Sequence, residues 1–123
     1  PVLSRGLGDV YKRQSLVSAN KQLAAPSSID SITSSNGQED HVSMGANGAN
    51  QLRDIINNLY EIFAIELITA IQAKEFNNHK TSDLIDEFIS TIRKIHPKIS
   101  SDRVFHNDIN KVSKFLKKNR RVA

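Results

Sequence analysis

These 123 residues contain no cysteine, no tryptophan and only three prolines. Without cysteine neither a disulfide framework nor a thiolate metal site can form, and a reducing compartment is permitted. No stretch approaches the roughly 20 apolar residues of a membrane helix, and the amino terminus lacks the apolar centre of a secretory signal. Proline is absent from residues 27–96, so nothing of that kind ends a helix there. Strand-like alternation of apolar and polar residues is also missing, which makes all-α the expected class. The length holds one small domain at most, and a chain that is 38% hydrophobic and 24% charged has ordinary soluble composition.

The net charge of +4 and a pI near 9.5 point toward nucleic acid until the charges are located. Arg5, Lys12 and Arg13 stand against Asp9 in the first fourteen residues, and Lys117, Lys118, Arg120 and Arg121 close the chain. The ends thus carry +2 and +4, leaving the body at −2. With only two tyrosines and five phenylalanines in the whole chain, the body offers neither a basic face nor stacking platforms, so no nucleic acid is expected. The four histidines, His41, His79, His96 and His106, do not fall at i, i+4 spacing or beside a matching ligand pair, so no metal is expected either.

Residues 1–14, PVLSRGLGDVYKRQ, show no periodicity and change abruptly at Ser15. DVYKRQ back-translates to the mosaic end of a transposase adapter used in sequencing libraries, so residues 1–14 are read as a non-native tail and set aside. Residues 15–123 then form the helical part of a longer protein, with sequence missing upstream. A short helical end from Ser15 to Leu23 is expected to close before Pro26. Residues 26–38 are rich in serine, asparagine and glycine and read as a loop, since such side chains satisfy their own backbone in turns.

The strongest signal follows. Leu52, Ile55, Ile56, Leu59 and Phe63 mark one helix face, and between Tyr60 and Ala73 apolar residues spread nearly all round. This predicts a long buried helix from about Ser43 to Phe76. A second helix starts at Thr81 or Ser82, with Asp83, Asp86 and Glu87 near its positive end; its apolar face is Leu84, Ile85, Phe88, Ile89, Ile92 and Ile95, and Pro97 stops it. A third runs from about Asp108 to Lys118 on a stripe of Ile109, Val112, Phe115 and Leu116, its lysines facing solvent. Three or four such helices cannot cover a rod that is apolar on every side. The isolated chain is therefore expected to leave a large apolar patch exposed and to associate.

Between loop and rod lies Gln38-Glu39-Asp40-His41. On its own it reads as acids placed at a helix start, where a carboxylate accepts backbone N–H bonds and gains about 0.5–2 kcal/mol. Ser43 has no base beyond His41 to activate it and is not read as a nucleophile.

The segment QLAAPSSIDSITSSNGQEDHVSMGAN, then IFAIELITAIQAKEF and SDRVFHNDI, closely resembles the carboxy-terminal part of the histidine ammonia-lyase family over most of residues 15–116. The resemblance implies elimination of ammonia from L-histidine to give trans-urocanate. It also implies a homotetramer built on a bundle of long helices, with active sites shared between chains; the lack of a membrane span or secretory signal makes a cytoplasmic location the expectation. The electrophile in that family is a methylidene-imidazolone formed from an internal Ala-Ser-Gly, so no separate cofactor is bound. No Ala-Ser-Gly occurs here, and the family's catalytic tyrosine belongs to upstream regions, so the chain alone is expected to be inactive.

The resemblance places Gln38 and Glu39 in the substrate pocket, with Glu39 the catalytic candidate. Phenylalanine and tyrosine lyases tend to read Asn-Gln-Asp there, a neutral amide in place of Glu39. An ionised acid suits an imidazole that donates hydrogen bonds, so the carboxylate favours histidine. Whether it holds the ring or moves a proton is left open. Asp40 and His41 are expected to brace the loop, His41 through a structural hydrogen bond, and Asp102 and Arg103 to dock the tail. Ala19 departs from the family, which usually has an acid at that place. Two other readings stand beside this one: a related aromatic amino acid lyase or aminomutase, and a helical interaction module without catalysis.

Overall fold

The computed structural model describes residues 2–77, 80–101 and 103–119, with side chains from residue 11 onward. His79, Asp102 and the closing residues 120–123 lie outside them. The described residues form four α-helices: α1 (Val2–Leu23), α2 (Gly45–Phe76), α3 (Asp83–Ile95) and α4 (His106–Lys118). No strand is present among them, as the missing alternation predicts; the one β-type feature is an isolated bridge between Ser34 and Glu39.

Helix α1 corrects the expected boundary. It runs unbroken through most of the segment set aside as a tail, where a helix was expected only from Ser15. Its backbone continues past Gly6 and Gly8, which lower helix propensity without forbidding helix. Helix α2 holds 32 residues, close to 48 Å at about 1.5 Å per residue. Both α1 and α2 contribute to two compact units, one of Gln14–Leu59 and the other running on from Tyr60 with the start of α1.

The core lies in the second unit. The buried apolar set consists of Ile62, Ala64, Ile65, Ile68 and Ile71 of α2, Ile92 of α3, and Ile109 and Val112 of α4. Ile92 and Val112 are fully enclosed, each worth about 1.5–3 kcal/mol of transfer free energy. Burial of α2 is confined to this half. Along the first half Leu52, Ile56 and Leu59 stay exposed, and Phe63 is 52% exposed. On α3 only Ile92 of the expected face is buried, and Leu84 is 77% exposed. The single chain therefore leaves apolar side chains uncovered on both helices, as the excess of apolar surface over available cover requires.

A polar cluster pins the corner between α3 and α4. Arg93 on α3 donates from Nε to Glu75 Oε1 at 2.8 Å and reaches Gln72 Oε1 at 3.3 Å, and the same Gln72 oxygen accepts the Ile99 N–H. His96, wholly buried just past α3, lies with Nδ1 3.2 Å from Asp108 Oδ2 in the first turn of α4. Arg103 donates to that same oxygen from Nε and a terminal nitrogen, at 3.0 and 2.8 Å, and also to the Pro97 carbonyl. The Asp108 acceptor is satisfied when His96 carries its proton on Nδ1. That tautomer leaves Nε2 buried and without a hydrogen-bond partner among the described residues.

Burial holds the His96 pKa below its ordinary value; Asp108 opposes this, while Arg93 and Arg103 reinforce it. A folded-state pKa below the unfolded 6.5 means that the unfolded chain binds the proton more readily. This contribution to stability is complete above pH 6.5 and declines as the pH falls through the folded value. Denaturant midpoints compared at pH 7.5 and 5.5, with the His96 ring followed by NMR, are expected to show lower stability at the acid end. A ring titrating above 6.5 is the contrary result.

Candidate functional site

The Gln38-Glu39 pair sits at the tip of the loop between α1 and α2, and the backbone explains how. After a single short turn at Ser27–Ile29 the chain enters a second one at Ser35–Gly37. There Ser35, Asn36 and Gly37 all take left-handed conformations, with φ of 51°, 57° and 85°. Glycine adopts that region freely, whereas serine does so at a cost of roughly 1 kcal/mol. The reversal lets Ser34 and Glu39 face each other: Ser34 N–H donates to the Glu39 carbonyl at 2.8 Å, and Glu39 N–H returns to the Ser34 carbonyl at 3.4 Å. Inside the turn, Gly37 and Gln38 N–H donate to the Ser34 and Ser35 carbonyls.

A second closure lies one step outward. The Val42 N–H donates to Ser31 Oγ at 2.8 Å, and that hydroxyl approaches the Asp40 carbonyl at 3.4 Å. At the base of the loop, Ser27 Oγ donates to Gln51 Oε1 at 2.6 Å, and Asn58 on α2 donates to Asn20 on α1 at 2.7 Å. The loop is thus tied to both helices of its unit.

Glu39 is exposed, and among the described residues its carboxylate has one hydrogen-bond partner: Ser34 Oγ donates to Oε2 at 3.2 Å. Oε1 is left to whatever meets the loop tip. Gln38 lies beside it, also exposed. A cleft of about 470 Å³ opens near the start of α2 between Pro26, Ile29, Asp30, Met44, Asn47 and Gln51, and neither Gln38 nor Glu39 lines it. On a single chain the acid faces solvent.

The helix-cap reading of the cluster does not survive. Helix α2 begins at Gly45 and carries no acid in its first turn. Met44, at φ 49°, breaks the backbone just before it. Neither the Glu39 nor the Asp40 carboxylate makes a hydrogen bond to the start of α2 among the described residues, and the Glu39 backbone is set by the hairpin closure. His41 is exposed and makes no side-chain hydrogen bond among the described residues, contrary to its expected bracing role. Asp40 braces through its carbonyl alone. Ser31 and Ser34 hold the loop instead, and in a stretch with so many serines nothing in the sequence distinguished them. Arg103 docks the approach to α4 through Asp108, as expected, while its neighbour Asp102 lies outside the described residues. No group of three or more potential metal ligands occurs among the described residues, and no described helix is long and apolar enough to cross a membrane.

The profile of the aromatic amino acid lyases matches residues 5–94, the loop and α2 included. The chain belongs to the aromatic amino acid lyase family. It is 48% identical over 112 residues to the histidine ammonia-lyase of Staphylococcus aureus strain USA300 / TCH1516, covering 87% of this chain and 21% of that protein. The counterpart from strain MRSA252 gives the same identity and coverage. Among solved structures, the crystal structure of histidine ammonia-lyase from Trypanosoma cruzi superposes with a TM-score of 0.81 at 37% identity, over 87% of this chain and 21% of that one. This lyase-family chain thus spans about a fifth of the length of the relatives it matches, and its helical architecture is that of a family member.

Proposed function

We propose that the chain is the carboxy-terminal part of a cytoplasmic histidine ammonia-lyase, which removes ammonia from L-histidine to give trans-urocanate. Residues 15–123 form the body of that part. The observation that carries the reading is a carboxylate at the tip of a closed loop, at the place where the sibling lyases carry an amide. An ionised Glu39 accepts hydrogen bonds from an imidazole more strongly than an amide does. Gln38 flanks the same substrate position.

The family's electrophile, a methylidene-imidazolone, draws electron density from the substrate so that the amino group can leave. None of the 123 residues can form it, since no Ala-Ser-Gly is present, and no step assigned to this chain runs through it. What the chain supplies is a fixed negative charge. With Oε2 held by Ser34, Oε1 is aimed outward to orient the imidazole or to accept a proton beside the amino group. The solvent-facing acid and the uncovered apolar faces of α2 and α3 fit a site completed by other copies of the chain in a homotetramer, with no nucleic acid, membrane or metal involved.

The test is to express the full-length gene product and follow the urocanate absorbance band with L-histidine, then to repeat the assay with L-phenylalanine and L-tyrosine. Turnover of histidine in strong preference to the other two is expected. Preference for phenylalanine or tyrosine would move the chain to a sibling activity, and no turnover of any of them would leave a helical interaction module.

A further inference from the structure

The carboxylate of Glu39 has no partner on its own loop except one hydroxyl, and that hydroxyl belongs to the residue that closes the loop through its backbone. We infer that Ser34 is a positioning residue for Glu39, its Oγ–H fixing Oε2 so that Oε1 meets the substrate in a single orientation; this rests on the reading of Glu39 as the substrate-facing acid.

The geometry separates two functions within Ser34. Its N–H and carbonyl make the bridge to Glu39 and close the turn at Gly37, and any residue except proline supplies those groups. Its Oγ–H donates to the Glu39 side chain at 3.2 Å and adds nothing to the bridge. A glutamate has three side-chain torsions, and an exposed one samples many rotamers. A hydroxyl anchored on the opposing backbone removes part of that freedom before substrate arrives, so less ordering remains to oppose binding. The left-handed run at Ser35, Asn36 and Gly37 serves the same end, because it brings the two residues face to face over only four intervening positions. Ser31 closes the outer ring through Val42 and Asp40 and does not touch the carboxylate. It is therefore the control: it stiffens the loop without addressing Glu39.

The experiment is a double-mutant cycle in the full-length enzyme, read as kcat/KM for L-histidine. Ser34→Ala is expected to lower kcat/KM about five- to tenfold, less than the full worth of a hydrogen bond to a charged group because this one is exposed to water, and Ser34→Thr, which keeps the hydroxyl, to restore most of it. In the Glu39→Gln background the same Ser34→Ala change is expected to have less than about a twofold effect, because the group it positions is gone. A loss equal in both backgrounds would make Ser34 a general support of the loop and overturn the proposal. So would an unaltered kcat/KM in Ser34→Ala while Glu39→Gln is severely impaired. If Glu39→Gln itself retains normal kinetics, the reading of Glu39 falls, and the positioning role falls with it for a separate and visible reason.

Discussion

Glu39→Gln in the full-length lyase is expected to lower histidine turnover by about 10²–10³-fold while assembly and melting temperature stay unchanged. Glutamine fills nearly the same volume, and the Glu39 backbone bonds that close the loop are independent of the side chain. What disappears is the charge. A hydrogen bond to an ionised acceptor is roughly twice as strong as a neutral one, and it contributes about 1.5–3 kcal/mol. Because the glutamine carbonyl still accepts, about half of that is lost, roughly 3–12-fold, and loss of a positioned proton acceptor contributes about 10²–10⁴-fold where the group also moves a proton. The split between kcat and KM distinguishes the two roles: a carboxylate that only holds the ring in ground and transition states alike raises KM, whereas one that acts in the transition state lowers kcat. Urocanate absorbance in steady state provides the rate, and sedimentation velocity checks the assembly. Kinetics near those of the parent enzyme would remove Glu39 from the site.

The second large effect concerns the fold. Asp108→Ala is expected to destabilise the chain by about 2–4 kcal/mol. One oxygen of Asp108 accepts from both Arg103 nitrogens and, with the His96 proton on Nδ1, from that nitrogen 3.2 Å away. Removing it leaves the His96 N–H unpaired in a position with no access to water, while Arg103, 31% exposed along its side chain, recovers part of its hydration. The loss falls on the corner where α4 meets α3, because the cluster joins the end of one helix to the first turn of the other. Asp54→Ala is the control, since Asp54 pairs with Arg53 at 3.7 Å on the open surface and exposed pairs of that kind contribute about 0–1 kcal/mol. Urea unfolding of the two variants is expected to separate them clearly. Equal midpoints would show that the buried cluster contributes no more than a surface pair.

The four helices were legible in the sequence to different degrees, for reasons that can be named. The 3.6-residue period placed α2, α3 and α4 within about two residues of their ends, because each has an apolar stripe, to which α3 adds Pro97 as a stop. Helix α1 was misjudged because residues 2–14 carry no such stripe; helical backbone there needs no apolar face of its own. The exposure of Leu52 and Leu84 follows from arithmetic on apolar surface, which the sequence already contained. By contrast, no periodicity reveals that Ser35 and Asn36 turn left-handed, and this one fact converts a helix-cap reading into a closed loop. The role of His96 was equally hidden, since it depends on Asp108 twelve positions later being folded back against it.

The candidate site divides in the same way. Glu39 and Gln38 are marked by the resemblance to known lyases, since the residues alone read as a helix start, whereas the hydroxyls that hold the loop are visible only in the structure. Serine gives no signal of its own in a stretch so rich in it. Family membership, now carried by the match over residues 5–94, says which reaction class to test and leaves the work of each side chain to geometry.

A crystal structure of the full-length gene product bound to an unreactive histidine analogue bears most directly on the central claim. It is expected to show Glu39 Oε1 within about 3.2 Å of a ring nitrogen or the amino group of the analogue, with Ser34 Oγ still on Oε2. A carboxylate directed into bulk water, with the imidazole held by other residues, would contradict the assignment.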